Sequence, residues 1–158
     1  MGKLKIEYLA DQPGKIPEIA AWQFGEWGHL ASGDSIVQRA TSLEGHLTKE
    51  KLPITFLALL GDVAVGSASF VEHDLPGRED LFPWLASVFV LPQHRRNGIG
   101  ASLVHRVIEE AVHLEVNPIF LFTWDQERLY RNLGWQVLER THHKGKEIVI
   151  MEIYPRIA

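Results

Sequence analysis

Cysteine is absent from the 158 residues of this chain. Its absence excludes disulfide bridges, thiolate metal sites, iron–sulfur clusters and any mechanism that depends on a cysteine nucleophile. Long hydrophobic runs are absent too, since no apolar stretch approaches the ~18 residues that a membrane span needs. No apolar segment follows the first lysines, so we expect no secretory leader, no membrane partner and a cytoplasmic location.

A strong excess of charge of one sign is also missing. The chain has 16 basic and 20 acidic residues, a formal net charge of -4, so no global positive field favours nucleic acid as a partner. The charge is uneven, because residues 1–90 carry 7 basic and 12 acidic side chains whereas residues 91–158 carry 9 and 8. We therefore expect a cationic partner on one side of the molecule and an anionic partner on the other.

Metal-ligand spacing and domain linkers are two further absences. The eight histidines include no His-x-x-x-His or His-Glu-x-x-His pair, so no metal site is predicted. No repeat, low-complexity tract or long linker rich in Gly, Pro and Ser interrupts the chain. The prediction is a single domain over residues 1–158.

The apolar patterns that are present alternate between the periods of strands and helices. In the first half they predict a strand over 3–9, a helix over 16–29, a helix from a cap at Asp34 or Ser35 to about Leu47, and a hairpin around Gly61-Asp62. In the second half they predict a buried strand over 84–91, a helix over 100–115, a strand over 119–123, a helix over 126–132 and strands over 135–143 and 146–154. This order predicts an α+β fold around one mixed sheet.

The segment SVFVLPQHRRNGIGASLV joins the buried strand to the amphipathic helix through a basic turn that contains two glycines. Gly98 and Gly100 permit backbone torsions and close approaches that a side chain would block. The free N–H groups of the first helical turn and the helix dipole favour an anion there. Arg95 and Arg96 add positive charge, so the segment predicts a phosphate-binding site.

Two common phosphate motifs do not fit this segment. A P-loop needs Gly-Lys-Ser/Thr, but Ala101 and Ser102 follow Gly100. A dinucleotide fingerprint needs a third glycine where Leu103 stands, and it directly follows its strand. The segment instead resembles the Q/R-x-x-G-x-G/A signature of the GNAT N-acetyltransferases, through Arg95, Gly98 and Gly100. A second element of the family is similar to ERLYRNLGWQV, in which Tyr130, Gly134 and Trp135 match.

The resemblance implies a mixed, mostly antiparallel sheet of six to seven strands flanked by four helices, with the fourth and fifth strands splayed apart. It implies acetyl-CoA as the acetyl donor. The backbone amides that would grip its pyrophosphate belong to Arg96, Asn97, Gly98, Ile99, Gly100 and Ala101. The main chain of the fourth strand, at about Phe89 and Val90, would pair with the pantetheine arm.

The implied reaction is direct attack of a primary amine on the thioester, without an acyl-enzyme. By its match to the family, Tyr130 is the candidate general acid for the departing thiolate. A base or a water chain must help, because a lysine-like amine of pKa ~10.4 costs roughly 4.6 kcal/mol to deprotonate at pH 7. Glu72, His73 and Asp74 are candidates for that base region, with a solvated hairpin end as the alternative.

The acceptor is the least specified part of the prediction. Trp27 and Trp84 are candidates for its pocket, because the family places the first interhelical loop and the fourth strand there. The acceptor could be a small molecule, a peptide α-amine or a lysine side chain, and the acidic first half favours a cationic one. The alternative function is a CoA-binding sensor or regulatory domain without turnover. A homodimer is expected from base rates alone.

Overall fold

The structure is a computed structural model that describes residues 2–30 and 32–155. Its strands form one sheet of seven. The strands are β1 (Leu4–Tyr8), β2 (Ile54–Leu60), β3 (Val63–Val71), β4 (Trp84–Val90), β5 (Ile119–Thr123), β6 (Gln136–His143) and β7 (Lys146–Ile153). The helices are α1 (Ile16–Trp27), α2 (Ile36–Glu44), α3 (Ile99–His113) and α4 (Glu127–Asn132).

The sheet runs in the order β1-β2-β3-β4-β5-β7-β6. Its neighbours are antiparallel except for β4 and β5, which are parallel. This mixed sheet with four helices confirms the predicted fold class. The parallel pair arises because α3 connects β4 to β5, and a helical crossover returns the chain in the same direction.

Helices cover both faces of the sheet, and the alternation of side chains along β2 divides the core into two parts. Ile54, Phe56 and Ala58 pack in the cluster that contains the apolar stripe of α3. Leu57 and Leu59 point the other way, into the cluster formed with α1 and α2. All five side chains are buried, so β2 lies in the middle of the core, between its two parts.

The helix boundaries follow local capping chemistry. The Oγ of Ser35 accepts a hydrogen bond from the Gln38 amide at 3.0 Å, which confirms the predicted cap of α2. That helix ends at Glu44 rather than near Leu47, because Gly45 and His46 close a turn with their amides on Ser42 and Leu43. The earlier end leaves His46 outside the helix, against the sheet. None of the described helices is long and apolar enough to cross a membrane.

Candidate functional site

A cleft opens in the middle of the sheet, between β4 and β5. The two strands have one register pair, Trp84 with Phe120, and they separate beyond it. The gap is a cavity of about 860 Å³ whose walls include Val88 and Val90 from β4 and Leu121 and Thr123 from β5. We call this cavity the cleft. Because β4 and β5 lie on either side of the gap without pairing beyond Trp84 and Phe120, an extended ligand can lie between them.

A β-bulge interrupts β4 at the centre of the cleft. The pairs Ser67–Phe89 and Ser69–Ala86 leave two residues of β4 opposite the single Ala68 of β3. Ser87, one of these two, has a φ of 55°, in the left-handed region. The extra residue of a bulge is left out of the ladder. The bulge therefore frees backbone polar groups of β4 where its strand lines the cleft.

The glycine-bearing turn forms one end of the cleft. Gly98 is the N-cap of α3 with a φ of 79°, and no side chain caps the helix. A Cβ added at Gly98 would meet no atom within 4 Å, and one at Gly100 would lie 3.7 Å from Val90 Cγ2. The free N–H groups of the first turn of α3 therefore adjoin open space. Anions are favoured at such a terminus.

We call the residues predicted to hold the pyrophosphate, 95–101, the cradle. They lie together, with one exception. Those that line the cleft are Arg95, Arg96, Gly98, Ile99, Gly100 and Ala101. Asn97 does not line it. Arg96 has a φ of 65°, so two of three consecutive residues are left-handed and the turn is tight around the helix end.

Arg95 is fixed to the protein rather than free in the cleft. Its Nε donates a hydrogen bond to the Val90 carbonyl at 2.8 Å, and its guanidinium lies 5.6 Å from the ring centre of Phe89. It also lies 3.9 Å from a carboxylate oxygen of Glu26. Arg95 therefore fastens the turn to the end of β4, and Arg96 is the less constrained of the two cations.

Phe89 and Val90 present different faces to their surroundings. The side chain of Phe89 stacks on Trp22 of α1, with ring centres 5.5 Å apart, so its ring supports the strand from outside the cleft. The side chain of Val90 lines the cleft. This difference follows from the ordinary alternation of a strand, in which consecutive side chains point to opposite faces.

Tyr130 projects from the short helix α4 into the cleft. Thr123 holds the start of this helix, since its Oγ1 accepts the Gln126 amide at 3.0 Å. The Tyr130 ring is 8% exposed and packs edge-on against Trp135, with centres 6.1 Å apart. Burial, and then the charge of Asp125, raise the pKa of Tyr130 to about 12. Its phenol therefore keeps its proton at neutral pH and is a hydrogen-bond donor.

A second cavity of about 660 Å³ adjoins the cleft. We call it the side cavity. Four residues line both cavities and mark their junction: Arg39, Asp74, Ala86 and Ser87. The other polar side chains around the side cavity are Gln23, Asp34, Gln38, Ser42, His46, Ser69, Glu72 and His73. Three carboxylates and one arginine therefore surround it, which favours a positively charged ligand.

The three candidate base residues all lie on the side cavity, but in different settings. Glu72 and His73 are exposed, and the His73 ring packs edge-on to Phe82 at 6.0 Å. Asp74 is half-buried and reaches the junction. Burial raises the pKa of Asp74 from 3.8 to about 6. A group with a pKa near the working pH is suited to exchange protons.

The two tryptophans expected at the acceptor pocket lie in different places. Trp27, at the end of α1, lines the cleft. Trp84 is fully buried in a cluster with Phe120, and its indole donates to the Leu81 carbonyl at 2.7 Å. It lines neither cavity. This corrects the expectation for Trp84, which is a core residue at the point where β4 and β5 separate.

Sequence reasoning did not identify two parts of the site. Arg39 forms a bidentate ion pair with Asp34, at 2.6 Å for the shorter contact, and this pair lines the side cavity. The turn between β6 and β7 crosses to the first interhelical segment, where Lys144 Nζ donates to the Leu30 carbonyl at 2.8 Å. Both depend on tertiary structure. In the sequence, the one local sign of the ion pair was the spacing of five residues between Asp34 and Arg39.

Comparison with known proteins identifies the class. The model of the acetyltransferase (GNAT) family matches residues 16–135. The chain therefore belongs to the GNAT acetyltransferase family, which confirms the resemblance found in the sequence. No curated protein sequence matches the chain.

Solved structures of the same fold include named enzymes. A putative acetyltransferase, yncA from Salmonella typhimurium with acetyl-CoA, has a TM-score of 0.72 at 17% identity, with 99% of this chain and 96% of that chain covered. An aminoglycoside 6'-N-acetyltransferase complexed with coenzyme A has a TM-score of 0.75 at 15% identity, covering 99% and 98%. A chimeric spermidine N-acetyltransferase from Vibrio cholerae and hSSAT has a TM-score of 0.73 at 14% identity, covering 98% and 96%.

Proposed function

We propose that this chain transfers an acetyl group from acetyl-CoA to a primary amine that carries positive charge. The observation that carries the proposal is the pair of connected cavities. One is a cleft with an uncapped helix N-terminus at its end, and the other is an acidic side cavity that meets the cleft at Asp74 and Ser87. Donor and acceptor can then meet at the junction. The solved acetyltransferases with acetyl-CoA or coenzyme A support the donor.

The cleft residues fit the two ends of the donor. The free amides of Ile99, Gly100 and Ala101 and the dipole of α3 would hold its pyrophosphate, and Arg96 in the same turn would add positive charge. The main chain of β4 along the cleft would pair with its amide-containing arm, at a position other than the Val90 carbonyl, which accepts from Arg95 Nε. The space around Gly98 and Gly100 is the observation that fits a phosphate there, because main-chain groups can approach it without a side chain between them.

Asp74 is the group that we assign to receive the amine proton. When bound, acetyl-CoA supplies a thioester carbon that an amine can attack. As the new carbon–nitrogen bond forms and the carbon–sulfur bond breaks, the amine nitrogen becomes acidic and must lose a proton. Asp74 lies at the junction, and its pKa of about 6 leaves it mostly ionised at pH 7. Glu72 or His73 could act through water instead.

Tyr130 is the group that we assign to the departing thiolate. Its pKa of about 12 lies roughly 3.5 units above a thiol pKa of ~8.5, so complete proton transfer to the sulfur costs about 4.8 kcal/mol. A hydrogen bond from the phenol to the developing thiolate has no such cost. Tyr130 therefore stabilises the leaving group chiefly as a donor. With no cysteine in the chain, a thioester acyl-enzyme is excluded.

The acceptor class follows from the charges around the side cavity. Asp34 is paired with Arg39, which leaves Glu72 and Asp74 to face a cation. Enzymes of this fold include ones named for aminoglycosides and spermidine, both polyamines in the chemical sense. We therefore place small cationic amines ahead of neutral ones, with peptide α-amines and lysine side chains as the other arms of the test.

The test is free-thiol release from acetyl-CoA across a panel of amines. The panel contains spermidine, an aminoglycoside, single amino acids, a peptide with a free α-amine and a peptide with an internal lysine. We expect release with at least one cationic amine and formation of one acetylated amine per thiol. Tight CoA binding without release on any amine would contradict the proposal and favour the sensor function.

A further inference from the structure

A chain of three hydrogen-bonded side chains runs behind the wall of the side cavity. His46 Nδ1 lies 2.8 Å from Thr55 Oγ1, and Thr55 Oγ1 lies 2.8 Å from Ser69 Oγ. Thr55 is fully buried and Ser69 is 2% exposed. Ser69 and His46 both line the side cavity. This polar chain in the core connects a titratable ring to Ser69, a residue of the cavity wall.

The hydrogens in this chain can point in one of two directions. The hydroxyls of Thr55 and Ser69 have one proton each, and a neutral imidazole has one donor and one acceptor nitrogen. If His46 Nδ1 accepts, Thr55 donates to it and Ser69 must donate to Thr55. If His46 Nδ1 donates, Thr55 accepts that hydrogen bond and donates its own hydroxyl hydrogen to Ser69 Oγ, because a buried hydroxyl hydrogen without an acceptor is costly.

The direction of these hydrogen bonds decides whether Ser69 presents a donor or only an acceptor to the side cavity. In the first arrangement its single proton is used, and only lone pairs face the cavity. In the second its proton is free to point at a ligand. An ammonium group has N–H donors and no acceptor, so it fits the first arrangement and not the second.

The charge of the side cavity favours the first arrangement. Asp34 is paired with Arg39, and the carboxylates of Glu72 and Asp74 remain in the wall of the cavity, so a cationic ligand with donors is expected there. Burial lowers the pKa of His46, which disfavours the doubly protonated ring, whose Nδ1 could only donate, and so leaves the first arrangement open. The other titratable groups that line the cavity with His46 are Arg39 and His73.

We propose that the His46–Thr55–Ser69 chain makes Ser69 an acceptor-only group that binds an N–H of the amine substrate in the side cavity. This inference rests on the proposed function, since it assigns the side cavity to the acceptor. Ser69 is the binding residue, and His46 and Thr55 are positioning residues that act through it. Ser69 pairs in register with Ala86, next to the junction, so an amine bound there lies at the entrance to the cleft.

The direction of the chain can be measured without any activity. Long-range proton–nitrogen NMR spectra of the His46 ring distinguish a nitrogen that carries a proton from one that accepts a hydrogen bond. At pH 7.5 we expect Nδ1 to be unprotonated and Nε2 to carry the proton. A protonated Nδ1 at this pH would overturn the proposal, whatever the enzyme does with amines.

The second arm measures binding of spermidine to the complex with CoA by calorimetry. Thr55→Val keeps the shape of the side chain and cuts the chain, and we expect it to raise the spermidine dissociation constant about tenfold, as the loss of one charge-assisted hydrogen bond does. Thr55→Ser restores the hydroxyl and should bind as the wild type does. Ser69→Ala should weaken spermidine binding to the same extent, with CoA affinity unchanged in all variants.

The outcomes separate the inference from the proposed function. Absence of spermidine binding to the wild-type complex, or equal affinity in the wild type, Thr55→Val and Ser69→Ala, overturns the role of Ser69. Absence of thiol release with every amine of the panel overturns the proposed function while the NMR result stands. If Thr55→Val does not fold, Ser69→Ala and the His46 spectrum of the wild type still decide the question.

Discussion

Trp84 and Phe120 are register partners at the one point where β4 and β5 pair, and their ring centres lie 5.8 Å apart. Beyond this contact the two strands separate and the cleft begins. The aromatic pair therefore holds β4 and β5 together at one end of the opening. The cleft depends on this pair for its position, although neither side chain lines it.

Replacement of Trp84 should cost much more stability than replacement of Trp27. Trp84→Ala removes a fully buried indole and is expected to lower the free energy of unfolding by about 3–5 kcal/mol. Trp27→Ala, at the cleft wall, should lower it much less and should raise KM for a substrate. Denaturant unfolding of both variants checks the contrast, and equal losses would contradict the assignment of Trp84 to the core.

Gly98 should be required for CoA binding beyond its effect on stability. Gly98→Ala forces a side chain into a φ of 79° at the start of α3 and into the cradle, and Gly61→Ala imposes similar strain in the turn between β2 and β3, at a φ of 61°. Both should lower the melting temperature. CoA affinity should fall about tenfold or more in Gly98→Ala alone. Equal CoA affinities, measured by calorimetry, would remove the phosphate site from this turn.

Tyr130 should matter for turnover and not for donor binding. Tyr130→Phe keeps the packing against Trp135 and removes the phenol, so we expect kcat to fall about 10²-fold with CoA affinity unchanged. Tyr154→Phe, at an exposed position, is the matched control. Steady-state kinetics check the pair, and an unchanged kcat in Tyr130→Phe would refute its role at the leaving group.

Asp74 should control the acidic limb of the pH profile. With its pKa at about 6, kcat/KM of the wild type should rise as the pH passes from 5 to 7. Asp74→Asn should lose that rise and most of its activity, by about 10²-fold. Glu72→Gln and His73→Gln are the comparison variants. If all three variants kept the wild-type profile, the base would lie elsewhere.

The carboxyl of Asp74 should lower the free energy of unfolding at neutral pH. Its folded pKa of about 6 lies above its ordinary 3.8, so between these values the folded chain binds more protons than the unfolded chain. Stability contributed by this group therefore falls as the pH rises through that window. Asp74→Asn should melt above the wild type at pH 7.5, and the difference should disappear near pH 4. A lower melting temperature at pH 7.5 would contradict the burial of this charge.

The proposed phosphate site could be recognised in the sequence because its residues are contiguous. The strand, the turn with Gly98 and Gly100 and the amphipathic helix follow one another in 18 residues of sequence, and helix-end chemistry is local. The orientation of the Arg95 side chain could not be predicted, because its hydrogen bond to the Val90 carbonyl depends on how the turn folds back on β4.

The position of Trp84 could not be predicted because β4 is apolar on both faces. Trp84 and Leu85 are neighbours in the sequence and pack in different clusters, so the apolar pattern does not show which of the two faces the cleft. The hydrogen-bonded chain of His46, Thr55 and Ser69 could not be predicted either. It joins a loop to two strands, and its contacts follow from the register of β2 with β3 rather than from sequence spacing.

Initial-velocity kinetics distinguish direct transfer from a route through a covalent intermediate. Direct transfer requires acetyl-CoA in the cleft and the amine in the side cavity at the same time. With acetyl-CoA varied at several fixed concentrations of the best amine of the panel, we expect double-reciprocal lines that intersect, the pattern of a ternary complex. Parallel lines would indicate a covalent acetyl-enzyme and would contradict direct transfer.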